Sequence, residues 1–141
     1  MGLNLMSMVS SRCPSPNSVC ETSTISYYIQ SNVIGEIFQS ALERVKITQI
    51  YCDSTSFDHS EYRKKVDLIF VDASHEYDSV RSDSEKALEM LASGGVILWH
   101  DYVFSHYGVY AWLNELSHTI DLFSIPNTTL VYHHRKNNVE K

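Results

Sequence analysis

The sequence predicts an α/β domain organised around a parallel sheet, and three observations carry that prediction. Residues 66–71 (VDLIFV) and 96–99 (VILW) are short and almost wholly apolar, as strands buried on both faces of a parallel sheet must be. Between them lies an amphipathic stretch long enough to make the crossover that parallel strands need. Each apolar run is followed at once by polar residues capable of chemistry, and an open α/β sheet binds its ligands beyond the carboxyl ends of its strands.

The elements follow in order. Residues 1–24 are rich in Ser, Asn, Pro and Thr, and Pro14 and Pro16 sit among small polar neighbours, so this segment is expected to be irregular. Residues 25–38 hold scattered apolar positions compatible with a partial helix, weakened by Gly35. Residues 45–51 alternate apolar with polar and are β-branched, which reads as a strand. In the crossover, Tyr77, Val80, Ser84, Ala87, Leu88 and Leu91 fall on one helical face. Asp78, Arg81, Asp83, Glu85, Lys86 and Glu89 fall mainly on the other. Ser93-Gly94-Gly95 is the expected end of that helix, with Gly94 free to take a left-handed cap conformation. Residues 109–116 read as a short helix, and 120–125 and 129–133 as two final strands joined by a Pro126-Asn127 turn. The organisation expected is an irregular lead (1–24), a partial α/β domain (25–135) and a polar tail (136–141).

Bulk properties narrow the function. At 141 residues the chain can bury a core without staples. The formal net charge is −6, with Arg63-Lys64-Lys65 as its one basic run. That argues against nucleic acid or an anionic membrane as the main partner, because phosphate binding rests on clustered Lys and Arg. No stretch reaches the roughly 18 apolar residues of a membrane span. The N-terminus lacks the basic region of a signal peptide. Cys13, Cys20 and Cys52 are an odd number without zinc-type spacing, so reduced thiols in a cytoplasmic protein are the expectation.

The residues that end the apolar runs are the candidates for function. After the first come Cys52, Asp53 and Ser54; after the second Asp72, Ala73, Ser74 and His75; after the third His100, Asp101 and Tyr102. Three successive strands thus deliver a carboxylate to one rim. Any one of these acids has a plain alternative as a cap or turn residue. Asp72 and Asp101 on adjacent strands are together a donor pair for a hard divalent cation such as Mg²⁺. His75 and His100 are candidates for a general base or an additional ligand, against the alternative of a satisfied, noncatalytic histidine. His59 and His106 sit in loops with no evident partner. His133 and His134 close the last strand and are expected to be exposed. Tyr102 is the aromatic residue nearest the rim.

At these positions the chain resembles a family. Residues 66–77 (VDLIFVDASHEY) are similar to the "DLIFIDGxHxY" signature of small-molecule O-methyltransferase-like enzymes of the class I S-adenosylmethionine (SAM)-dependent group. Residues 91–102 (LASGGVILWHDY) are similar to their "LLxPGGxIxxHDY" continuation, with Ser93 in place of the proline. The resemblance covers roughly residues 30–130. It implies a Rossmann-like sheet with the last strand antiparallel, and methyl transfer from SAM to a nucleophilic oxygen or nitrogen. It implies Mg²⁺ held by Asp72 and Asp101, with His100 standing where some relatives have an acid. It makes His75 and His100 the catalytic candidates, and Asp53, Ser54, Asp72, Ala73 and His75 the cofactor-binding ones. The acceptor is expected to be a small molecule.

The sequence departs from that pattern in one respect. The family opens with a strand and a glycine-rich turn against which the methionine part of SAM packs. The five glycines here are Gly2, Gly35, Gly94, Gly95 and Gly108, and none forms such a turn. The expectation is a truncated domain lacking its first strands, which leaves a strand edge bare and favours self-association or a completing chain. The competing expectation is a methyltransferase-like binding module without catalysis. A hydrolytic or phosphate-handling fold lacks support, since there is neither a serine elbow nor a P-loop.

Overall fold

A computed structural model describes residues 5–9, 50, 52–72 and 74–137. Its elements are β1 (Leu5–Val9), β2 (Val66–Asp72), α1 (Tyr77–Met90), β3 (Leu91–Trp99), α2 (Tyr107–Leu116), β4 (Phe123–Ser124) and β5 (Val131–His134), with two short 3-10 turns at Ser54–Ser56 and Ser60–Tyr62. The described strands form one sheet in the order β1-β2-β3-β5-β4. The pairs β1·β2 and β2·β3 are parallel, and β5 runs antiparallel to both β3 and β4. The α/β architecture and its antiparallel final strand are those the sequence predicts.

The core lies between the sheet and the two helices. Ile69 of β2, Ile97 and Trp99 of β3, Met90 of α1 and Leu113 of α2 are essentially without solvent contact. Burying each such side chain stabilises the fold by about 1.5–3 kcal/mol. Trp99 is polar at one edge, and its indole N–H donates to Ser84 Oγ at 2.9 Å, while Ser84 in turn donates to the Val80 carbonyl at 2.7 Å. A bulky ring is thereby buried without an orphaned donor.

Four local expectations need revision. The helix ends at Met90 and the chain enters β3 directly, with Leu91 already extended. Gly94 does take a positive φ of 74°, but inside the strand, where the ladder to β2 shifts register. There Gly94 N–H donates to the Arg135 carbonyl at 3.0 Å, and Arg135 N–H returns a bond to Gly95 at 3.0 Å. Asp83, assigned by periodicity to the outer face of α1, is fully buried. It falls within the stripe Ser79, Val80, Asp83, Ser84, Ala87 and Met90, whose spacing of three and four residues defines the inward face.

The third revision concerns the lead. Leu5–Val9 lies within the segment expected to be irregular, yet forms a strand in register with Leu68 to Asp72 of β2. The edge expected to be bare is therefore paired. The five residues LMSMV carry little β-branched character, so their own preference is weak. The open N–H and C=O groups along β2 supply the stronger term, because an unmatched backbone group at a core strand is costly.

The last revision is one of extent: the strand expected at 120–125 is confined to Phe123–Ser124. The partial helix at 25–38 lies outside the described residues, as do Ala73 and residues 45–49 and 51 of the expected strand at 45–51, of which Ile50 alone is described, exposed and outside any strand. Among the described residues no helix is long and apolar enough to cross a membrane.

Candidate functional site

β2 and β3 run parallel with Val71 opposite Trp99, so their carboxyl ends finish side by side. His100 N–H then donates to the Val71 carbonyl at 3.1 Å, which carries the pairing one residue past the strand and fixes His100 beside Asp72. Asp101 adopts a φ of 60°, a left-handed conformation that Asp tolerates better than most residues. This reversal turns the chain sharply away from the sheet. Two tight bonds follow, Val103 N–H to the Asp101 carbonyl at 2.8 Å and His106 N–H to the Val103 carbonyl at 3.0 Å. They bring His106 back to the residue from which the loop departed.

The result is a cluster of two carboxylates and three imidazoles centred on Asp101. Its Oδ2 lies 2.9 Å from His75 Nε2 in a hydrogen bond. Its Oδ1 faces His100 Nδ1 at 3.1 Å and His106 Nδ1 at 3.7 Å, and His100 Nδ1 is also 3.5 Å from Asp72 Oδ1. The 3.1 Å approach is close enough for a hydrogen bond but lacks the angles of one. Both Nδ1 atoms, of His100 and of His106, are buried without a hydrogen-bond partner. The rings of His75 and His106 stack with centroids 4.0 Å apart and planes 13° from parallel. Asp101 is the most enclosed of the cluster, its side chain 20% exposed. A small hollow of about 10 Å³, room for about one water, is lined by Asp72, Ser74, His75, His100 and Asp101 together with the buried edge of Trp99.

Gly108 sets the loop geometry on the other side. A Cβ there would stand 2.1 Å from the His75 carbonyl oxygen and 2.5 Å from the Tyr77 nitrogen. Only glycine lets α2 approach the loop after β2 this closely, and that approach is what lays His106 against His75. Ser74 Oγ accepts from the Glu76 N–H at 3.2 Å and steadies the same loop.

The structure thus brings Asp72, His75, His100 and Asp101 together, as the sequence suggests, and adds His106. That histidine has a partner after all. Its signal in the sequence is its place five residues beyond Asp101, too far for a strand-end motif and intelligible only once the loop is seen to double back. His59 also has partners, since its Nε2 lies 2.9 Å from Glu89 Oε2, which Arg63 Nη2 approaches at 2.7 Å. The hydrogen bond from His59, with the Arg63 charge behind it, holds the Glu89 carboxyl below its ordinary range. Tyr102 turns away from the cluster. Its N–H bonds to the Thr129 carbonyl at 2.9 Å, its hydroxyl donates to Asn114 Oδ1 at 3.2 Å, and its ring stacks on Tyr110. Ser54 opens a 3-10 turn whose Ser54 and Thr55 carbonyls accept from Lys86 of α1. His133 is half-buried rather than exposed, its Nδ1 3.0 Å from the Asp121 carbonyl.

A family model described as a methyltransferase domain matches residues 18–102, more than half of the chain. The chain belongs to that methyltransferase family. Its sheet is the Rossmann-like sheet of class I methyltransferases, as likeness to one solved methyltransferase shows. The MycE methyltransferase of the mycinamycin biosynthetic pathway, solved in complex with Mg and SAH, superposes with a TM-score of 0.56 at 12% identity. That match takes in 99% of this chain and 47% of MycE, so the chain spans about half the length of that relative. The N-methyltransferase NodS from Bradyrhizobium japonicum WM9 gives 0.48 at 15% identity over 96% of this chain and 86% of its own. A SAM-dependent O-methyltransferase from Thermotoga maritima gives 0.47 at 14% over 99% and 62%. No curated protein matches at the sequence level. In the methyltransferase frame, β2 and β3 are the strands whose carboxyl ends carry the Asp-, His- and Asp-bearing loops described above.

Proposed function

We propose that this methyltransferase domain transfers the methyl group of SAM to a hydroxyl of a small-molecule acceptor, with a divalent cation held at Asp72 and Asp101. The observation that carries the reading is the cluster itself. Two carboxylates at the ends of adjacent parallel strands, with the buried and unsatisfied Nδ1 of His100 near both, are costly to assemble unless a cation or substrate completes them. Mg²⁺ is the ion named with MycE, and oxygen donors of this kind suit it.

The residues divide the work. Asp72 and Asp101 Oδ1 would hold the cation, which when bound lowers the pKa of an acceptor hydroxyl. Asp101 Oδ2 accepts the Nε2–H of His75, and that bond fixes the imidazole tautomer with Nδ1 as the basic nitrogen. His75 then takes the hydroxyl proton at Nδ1 as the oxygen attacks the methyl carbon in line. His75 is half exposed, as a base that must meet an incoming acceptor has to be. His106, stacked on it, keeps the ring from swinging away. Alignment of the acceptor with the methyl group contributes much of the rate, which puts weight on the loop from Tyr102 to Gly108. Phe104 and Tyr107 in that loop are strongly exposed and give it an apolar surface for an acceptor. Asp72 would also contact the cofactor, and Asp53 and Ser54 are our candidates for the adenine. β1 ends at Val9 in register with Asp72, so its carboxyl end meets the same rim.

The absence of a glycine-rich turn favours a second reading, a module that binds a small molecule or partner without catalysis. One assay separates the two. The full chain is incubated with SAM carrying a labelled methyl group and a panel of phenolic, sugar and natural-product hydroxyl acceptors. Transfer that disappears in Asp101→Ala, with the circular dichroism spectrum unchanged, supports methyl transfer at this cluster. Transfer that survives in Asp101→Ala removes the cation reading, and no transfer to any acceptor by a folded sample favours the noncatalytic module.

A further inference from the structure

Resting on the reading that Asp72 and Asp101 hold a cation, we propose that His100 is itself a ligand and that the centre prefers a first-row transition-metal dication to Mg²⁺. Three features of the cluster point this way. The first is the donor chemistry. Asp72, His100 and Asp101 each place one ligand atom within 4.8 Å of the others, and one of the three is an imidazole nitrogen. Mg²⁺ favours an all-oxygen shell and is slow to give up water, whereas imidazole suits the later divalent ions.

The second feature is spacing. Metal–ligand bonds of about 2.0–2.2 Å put neighbouring ligand atoms roughly 3.0–3.6 Å apart. His100 Nδ1 lies 3.1 Å from Asp101 Oδ1 and 3.5 Å from Asp72 Oδ1. The nitrogen is buried, and neither approach has the angles of a hydrogen bond. A buried imidazole nitrogen at ligand spacing from two carboxylate oxygens, with hydrogen-bond geometry to neither, fits a coordination edge better than an ion pair.

The third is support. Ligating side chains are commonly held by a further hydrogen bond, and Asp101 has one from His75 on its other oxygen at 2.9 Å. His100 is anchored through its own N–H to the Val71 carbonyl, so its ring is carried by the sheet ladder rather than by a free loop. His75, Asp101 and His106 form a second, overlapping set of donors around the same carboxylate. His106 Nδ1, also buried and unsatisfied, increases the nitrogen character around Asp101.

The test uses the purified full chain, Mn²⁺, Co²⁺ and Mg²⁺ as chlorides, and the variants His100→Asp and His100→Asn. Pulsed EPR of the Mn²⁺-loaded wild type is expected to show coupling to an imidazole nitrogen that is lost in both variants. Competition titration is expected to show the preference for Co²⁺ over Mg²⁺ falling about tenfold or more in His100→Asp, which restores an all-oxygen set. No nitrogen coupling in the wild type, no binding of any of the three ions, or a Co²⁺/Mg²⁺ ratio unchanged in His100→Asp overturns the proposal. The wild-type spectrum decides the matter even if a variant misfolds. A parallel SAM titration keeps the readings apart: nitrogen-ligated metal without SAM binding counts against methyl transfer and leaves this inference standing.

Discussion

At Gly108 a single hydrogen atom decides whether two loops can touch. Replacing it with alanine drives a methyl group into the backbone at His75 and Tyr77, which cannot move aside as a flexible side chain would. Gly108→Ala is expected to cost about 1–3 kcal/mol of stability by overpacking. It should also separate His106 from His75 and lower turnover more than it raises KM; urea denaturation and steady-state kinetics measure the two effects. Unchanged stability would mean the close approach is not maintained in solution. The same scale shows where reading the sequence stops. Asp72, His75, His100 and Asp101 were legible because they follow apolar runs directly, where α/β sheets place their chemistry. His106 and Gly108 were not, because their roles depend on a left-handed turn at Asp101 that composition does not reveal.

Among the elements, α1 carries the most information about how polar groups enter the core. Ser84 sits on its buried face and accepts the Trp99 N–H. Ser84→Ala leaves that donor without its partner and is expected to cost about 1–3 kcal/mol, read from the shift in denaturation midpoint. The outer end of α1 predicts a pH effect. Glu89 is held below its ordinary value of 4.5 by the His59 hydrogen bond. A carboxyl lowered in the folded state contributes stability above its unfolded pKa and loses it as pH falls through the folded one. Stability should therefore decline as pH drops below about 4.5, and Glu89→Gln should flatten that part of the acid limb. An identical acid limb in the variant would show that the contact is absent in solution. Helical periodicity correctly placed α1 and most of its inward face. It misplaced Asp83 because it weighs side-chain polarity, whereas burial follows position on the helix. The end of α1 was misread for a related reason: Gly94 is a sound candidate for a cap, but β3 uses its positive φ for an irregular stretch of strand instead.

For the molecule as a whole, the structural surprise is β1. A strand expected to be absent is built from residues whose own tendency to extend is slight, because β2 offers an edge of unpaired backbone groups. Ser7→Pro puts a proline opposite Phe70 in the β1·β2 pairing and is expected to destabilise the sheet by roughly 1–3 kcal/mol. Loss of protection of the β2 amides in hydrogen exchange would locate the effect; unchanged protection would mean β1 does not hold that edge. The parallel pair of β2 and β3 was legible from their apolar runs, and the family resemblance implied the antiparallel finish. Non-local pairing at low intrinsic preference was not legible, since it depends on what the partner strand leaves unsatisfied.

β1 also bears on function, because it brings a third carboxyl end to the rim where Asp72 and Asp101 stand. Isothermal titration of the purified full chain with SAM, with and without divalent cation, tests this arrangement most directly. Saturable binding at one site per chain, weakened in Asp72→Asn, is the predicted result. No heat of binding from a folded, monodisperse sample would contradict the account and leave the cluster without a methyl donor.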